Sequence, residues 1–147
     1  MFPSVPAKMK IRLLLPLFLL LTAGCTSLST DQRHAKDLSK LKHLFVEHRL
    51  NDNHGIDQLI VQELQGLGLD AACGPLTMIP DNADAVVTYE DDWTFDFTTH
   101  MVSLDVAVRA VNKDKPLGSG HFLNRGVSRI PPDRMVHEVV ASMFKPG

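Results

Sequence analysis

The chain has 147 residues, enough for one domain and short of two full-sized ones. Apolar residues make up 44% and charged residues 22%, which excludes a largely disordered chain. With 15 Lys and Arg against 17 Asp and Glu the net charge is −2, and a basic nucleic-acid binder is excluded on charge. At the N-terminus Lys8, Lys10 and Arg12 form a positive cluster, and residues 13–21 are then wholly apolar apart from Pro16. Thr22, Ala23 and Gly24 follow, and then Cys25. A charged stretch, a short greasy stretch and small residues, in that order, are the layout of an export signal. A membrane-spanning helix needs about 20 apolar residues, so this shorter, proline-interrupted run does not span. Met9 begins a tidier signal than Met1, and a start there would make residues 1–8 an artefact of the assigned start.

The ending Leu21-Thr22-Ala23-Gly24-Cys25 resembles the lipobox of bacterial lipoproteins. The resemblance implies that the Cys25 sulfur receives a diacylglyceryl group, that residues 1–24 are removed as a signal peptide, and that the new amino terminus is acylated. Thr22 stands where leucine is more usual. The competing expectation is an ordinary secretory signal with an incidental cysteine. In lipoproteins of Gram-negative bacteria an aspartate after the cysteine marks retention in the inner membrane. Thr26 in that place implies delivery to the outer membrane, facing the periplasm. Each buried methylene contributes about 0.8 kcal/mol and one acyl chain binds only marginally, so a triply acylated cysteine would hold the protein durably. Past Cys25 all 17 acids remain against 12 bases, because three bases lie in the leader, and the net charge becomes −5. Charge does not draw such a domain to an anionic membrane. Cys73 is then the only other cysteine. It is expected as a small buried hydrophobe in a strand, the sharper alternative being an intermolecular disulfide or a redox-sensitive thiol.

Residues 25–42 are polar and read as a lipidated tether, with a short helical turn around residues 35–42. Fully extended, it would reach about 50 Å. Residues 43–147 form the expected domain. Residues 43–50 read as a first strand centred on Leu44, Phe45 and Val46, and residues 51–55 as a turn. Ile56, Leu59, Ile60, Leu64 and Leu67 recur at helical spacing, which predicts a helix over 55–67 that stops at Gly68. A short strand over 69–73 follows and is broken by Gly74-Pro75.

Residues 85–97 alternate, with Ala85, Val87, Tyr89, Trp93, Phe95 and Phe97 on one face and Thr88, Glu90, Asp92, Thr94 and Asp96 on the other. Such a length predicts a bulge near residues 90–92, where Asp91 intrudes on the apolar parity. Residues 101–111 alternate in the opposite parity, through Val102, Leu104, Val106, Val108 and Ala110. A hairpin turning at residues 98–101 would pair Phe97 with Val102, Phe95 with Leu104, Trp93 with Val106, Thr94 with Asp105 and Glu90 with Arg109. Residues 117–123 return as a strand thinned by Gly118 and Gly120. Pro131-Pro132-Asp133 opens a closing helix with the stripe Met135, Val136, Val139, Val140 and Met143.

This order predicts an α+β two-layer sandwich, a mixed and mostly antiparallel sheet with two helices on one face. The same order resembles the amino-terminal domain of TolB. The segment from Asp84 to Trp93, the hairpin, and Met135-Val136-His137-Glu138-Val139 resemble a group of small bacterial envelope lipoproteins. Both resemblances imply location and fold, not an activity.

No phosphate-binding loop, GxSxG, HExxH or CxxC motif is present. Gly118-Ser119-Gly120-His121 echoes a nucleophile elbow but lies in a strand. Asn51-Asp52-Asn53-His54-Gly55 could hold an anion on free amides or cap the helix, and capping is the expectation. The seven histidines are scattered without metal-ligand spacing, and Tyr89 and Trp93 share the core parity. No metal, cofactor or catalytic residue is expected. The expected function is a non-enzymatic binding or structural module, held on the membrane by the Cys25 lipid and docking an envelope protein of undetermined stoichiometry. The candidate surface is Asp92, Thr94, Asp96, Ser103 and Asp105, with Glu90 and Arg109 at its edge. The competing expectation is a small periplasmic hydrolase or metal-dependent enzyme using His and Asp, and a third is a subunit that assembles through its sheet edge.

Overall fold

The structure, a computed structural model, describes residues 25–31 and 33–145. The expected leader over residues 1–24 lies outside the described residues. The elements in chain order are β1 (Thr26–Asp31), α1 (Ala35–Leu38), β2 (His43–Glu47), α2 (Ile56–Gly66), β3 (Asp70–Gly74), a 3-10 turn (Leu76–Met78), β4 (Ala85–Asp96), β5 (Thr98–Ala110), β6 (Pro116–Asn124) and α3 (Pro132–Phe144). The six strands form one sheet in the order β1-β6-β5-β4-β2-β3. β2 runs parallel to both β3 and β4, and the remaining pairs are antiparallel. This is the α+β fold that the alternation of helical and strand periods predicts.

The two periodicities explain the layers. Leu44 and Val46 of β2, Ala85, Val87 and Tyr89 of β4, Leu104, Val106 and Val108 of β5 and Phe122 of β6 meet one helical layer. That layer contributes Leu38 of α1, Ile56, Ile60 and Leu64 of α2, and Met135, Val136, Val139, Val140 and Met143 of α3. Both long helices therefore cover the same sheet face, and α1 adds a third, single-turn element. β2 is an inner strand between β4 and β3, and its central residues are buried on both faces. Phe45, of opposite parity, is 3% exposed. It lies against Gly74, where an added Cβ would come within 3.3 Å of the ring.

The end of α2 follows a recognisable chemistry. Gly68 takes a φ of 84°, its N–H donates to the Gln65 carbonyl, and the Leu69 N–H donates to the Leu64 carbonyl. These two bonds are a Schellman stop, which satisfies carbonyls that the helix leaves open. On β6, Gly118 and Gly120 face the helices. A Cβ at Gly120 would stand 2.8 Å from Val139 Cγ1 and one at Gly118 would stand 2.7 Å from Leu38 Cδ1. Their bareness is what lets α3 and α1 approach the sheet.

Three expectations need correction. The stretch 25–42 is not a free tether. Residues 26–31 form an edge strand paired to β6 from Thr26↔Asn124 to Asp31↔Ser119, and α1 buries Leu38 in the core. Among the described residues, the folded body thus already includes β1 and α1, ahead of His43. The first domain strand is also shorter than expected and ends at Glu47.

The hairpin register is also different. It turns at Phe97, with Asp96 opposite Thr98. Tyr89 faces Val106, Asp91 faces Leu104, Glu90 faces Asp105, Thr94 faces His100 and Trp93 faces Met101, while Arg109 faces Val86. A bulge between Asp92 and Trp93 leaves Val102 as the extra residue, close to the expected position. β2 pairs with β4 only as far as Val87, and β6 pairs with β5 only from Ser103. Beyond those rows, β4 and β5 continue as a two-stranded ribbon.

Strand directions place several loops together. The C-terminal ends of β2, β3, β4 and β6 and the N-terminal ends of β1 and β5 lie at one end of the sheet. Cys25, the ribbon tip and the loops leading into α2 and α3 share that end.

Candidate functional site

The helices leave one sheet face bare. On that face β4 presents Thr88, Glu90 and Asp92, β5 presents Ser103, Asp105, Ala107 and Arg109, and β6 presents Ser119 and His121. A shallow groove of about 520 Å³ runs across it, lined among others by Glu47, Thr88, Glu90, Asp105, Arg109 and Ser119. Glu90 and Asp105 stand directly opposite each other, a like-charge pairing that costs stability in a sheet. His121 of β6 meets this pair, its Nδ1 lying 2.7 Å from Asp105 Oδ1. The Ser103 hydroxyl donates to Asp92 at 2.9 Å. The groove therefore offers three acids (Glu47, Glu90 and Asp105) beside the Arg49 and Arg109 guanidinium groups, and it suits a polar partner of mixed charge.

The five residues singled out in the sequence are only partly brought together. Asp92, Ser103 and Asp105 share the bare face, where Ser103 is itself buried and bonded to Asp92. Thr94 and Asp96 lie beyond the bulge, on the ribbon, and Thr94 is opposite His100 and not Asp105. Glu90 and Arg109, placed at the edge from the sequence, lie inside the groove. Glu47, Ser119 and His121 were missed. Their neighbours in the groove come from β4 and β5, and only the sheet order, which brings β6 beside β5 and β2 beside β4, shows the connection.

A second polar cluster lies at the start of α2. Asp52 Oδ1 accepts the amides of His54 and Gly55 at 2.9 and 2.8 Å. Its Oδ2 accepts the Asp57 amide at 3.2 Å and the Tyr89 hydroxyl at 2.6 Å. Partial burial pushes its pKa upward, but the Tyr89 hydroxyl and the three amides outweigh this and hold the carboxyl below its ordinary value of 3.8. The same contact works the other way on Tyr89, whose phenol is raised by burial first and by the Asp52 carboxylate second. Asp57 is 2% exposed and satisfied by His48 Nδ1 at 2.8 Å and the Gln58 amide at 2.8 Å. Burial, followed by the Asp57 carboxylate, pushes the Cys73 thiol up, which disfavours the reactive thiolate. Arg49 reaches Asp91 at 3.4 Å, and the His54 ring stacks on Trp93 at 3.6 Å between centroids. This cluster caps a helix and fastens it to β4.

The remaining histidines pair with separate partners. His34 is beside Asp37, His43 beside Asp84, and His137 beside Glu63, while His100 meets the Thr98 carbonyl. Among the described residues, no three His, Cys, Asp or Glu side chains are grouped to hold a metal ion. Among the same residues, no helix is long and apolar enough to cross a membrane.

No family model matches the chain, and no curated protein does. Solved structures match on shape. A dodecamer of a PelC point variant from Paraburkholderia phytofirmans superposes with a TM-score of 0.63 at 14% identity, covering 82% of this chain and 98% of that one. Two PelC crystal structures share the fold. The second, a PelC dodecamer from the same organism, gives a TM-score of 0.59 at 14% identity and covers 83% of this chain and 96% of that one. At this identity PelC establishes the architecture alone. The expected likeness to the amino-terminal domain of TolB gains no support from these matches.

Proposed function

We propose that this chain is a lipoprotein of the bacterial envelope, anchored through Cys25 at the periplasmic face of the outer membrane, whose domain works by docking other protein and not by catalysis. The observation that carries the docking role is the bare sheet face. A six-stranded sheet has one side covered by helices, and the other presents a charged groove that none of the described residues covers. The lipobox-like segment supports the anchor. The PelC dodecamers support further copies of this chain as the docked partner, because a similar fold self-assembles there.

Two measurements test the two halves. Radiolabelled palmitate is expected on the wild-type protein and not on Cys25→Ser, which should leave the membrane fraction; equal sedimentation of both forms would sink the anchor. Crosslinking in native envelopes is expected to give multimers of the chain. A Glu90→Lys, Asp105→Lys pair should deplete those multimers while leaving the circular dichroism spectrum unchanged. An unchanged ladder would remove the groove as the docking surface.

A further inference from the structure

The end of the sheet that carries Cys25 also carries the most exposed large apolar side chains of the described residues. Leu50, in the loop entering α2, and Val127, in the loop entering α3, are fully exposed, Phe97 is 91% exposed and Phe95 76%. Leu50 follows the C-terminal end of β2, Val127 follows that of β6, and both phenylalanines sit at the β4–β5 turn. Strand directions bring all three sites to one end. Exposed aromatic residues are unusual on a water-facing ribbon, because each leaves apolar area hydrated without a partner. Here the ribbon is also held rigidly. The Arg129 guanidinium donates to the Asp96 carbonyl at 2.5 Å and to the Thr98 hydroxyl, which ties the Val127 loop to the ribbon tip. His54 stacks on Trp93 at the ribbon base.

Cys25 has no slack. Its carbonyl accepts the Arg125 amide at 2.9 Å, and the next residue is already paired in the sheet. A lipid on this cysteine would therefore be attached to the rigid body itself. Counting rows, the Phe97 tip stands about three residues past the level of Cys25, roughly 10 Å at the rise of a strand. The boundary between headgroups and acyl chains lies about 5–10 Å deep. Acyl chains rooted at Cys25 and a ribbon tip reaching slightly deeper fit the same bilayer surface.

We infer that the Leu50–Phe95–Phe97–Val127 end of the domain is a second membrane contact, which seats the ribbon tip in the interfacial layer of a phospholipid bilayer. It rests on the proposed acylation of Cys25 for its orientation. The rings would lie among glycerol and upper methylene groups, and Arg125 beside Val127 would meet lipid phosphate.

The test uses the full chain purified in detergent and reconstituted into vesicles of phosphatidylethanolamine and phosphatidylglycerol with brominated acyl chains. A Trp93→Phe, Phe97→Trp form places the chain's single tryptophan at the tip, and a Trp93→Phe, Val111→Trp form places it at the opposite end of β5. Quenching of the tip tryptophan by about half, with the opposite-end tryptophan unaffected, is the expected result. No quenching at the tip while Cys25 takes up palmitate would overturn the membrane contact and leave the lipoprotein reading standing. Quenching at the tip that is lost when protein concentration rises would assign the tip to a second copy and also overturn it. If palmitate never labels Cys25, the anchor falls, and flotation of the Cys25→Ser chain with these vesicles decides the surface separately. Reduced flotation after Phe95→Ser and Phe97→Ser would uphold the contact, and equal flotation would overturn it.

Discussion

At Asp52 one carboxylate accepts four donors, three backbone amides and a phenol. Asp52→Asn keeps the shape but turns one acceptor into a donor facing the Asp57 amide and the Tyr89 hydroxyl. It should cost about 1–2 kcal/mol at neutral pH in urea titrations. The pH dependence has a definite sign. The folded-state value is lowered, so the carboxylate contributes stability above pH 3.8 and loses it as pH falls through the lower folded value. The gap between wild type and Asp52→Asn should therefore stay constant near neutrality and narrow in acid. The capping half of this contact was legible in Asn51-Asp52-Asn53-His54-Gly55, because Asp and Gly at a helix entry have few other uses. The Tyr89 half was not, since its partner lies 37 positions away in the chain. Gly120 is a second residue-scale case. Gly120→Ala would drive its Cβ into Val139 Cγ1, a stiff branched atom on α3, and should lower stability by about 1–3 kcal/mol. The double change with Val139→Ala should recover part of that loss.

Among the elements, the β4–β5 ribbon shows how far alternation can be trusted. The expected and observed pairings differ by an even number of residues over residues 85–92, so every side chain keeps its face while nearly every partner changes. Parity cannot choose between such registers, and turn chemistry must do so. Here the turn residue is Phe97 with a φ of 59°, a conformation disfavoured for a bulky side chain. No turn signal was therefore visible. Phe97→Gly should relieve that cost and raise the urea-derived stability of the domain by up to about 1 kcal/mol, at the expense of the proposed membrane contact. The first strand was hidden for a different reason. All six residues of β1 are exposed, and Ser and Thr at an edge carry the composition of a linker. Leu28, Leu38 and Leu41 were the apolar clues, and of these Leu38 is the buried one. Leu38→Ala should destabilise the whole domain by about 2–4 kcal/mol in a single cooperative transition, whereas a true tether would show no change.

For the molecule as a whole, the switch from period two to period 3.6 was enough to foresee a sheet with helices on one side, and PelC shares that architecture. The bare face was legible as a polar parity. Its groove was not, because Glu47 and Ser119 arrive from strands whose neighbours only the sheet order assigns. Arg109, with Arg49, supplies the groove's positive charge, and Arg109→Glu should weaken the proposed self-association. Sedimentation in detergent would then show smaller species than wild type at equal concentration, with the far-ultraviolet spectrum unchanged.

The immediate start of β1 after Cys25 also limits how the body can sit. An acylated chain could neither dangle nor wander; its strands would stand steeply against the bilayer, like a post set directly in the ground. The groove would then look sideways, along the plane of the membrane. Neighbours would meet it by lateral diffusion in two dimensions, already upright, with only one rotation left to search.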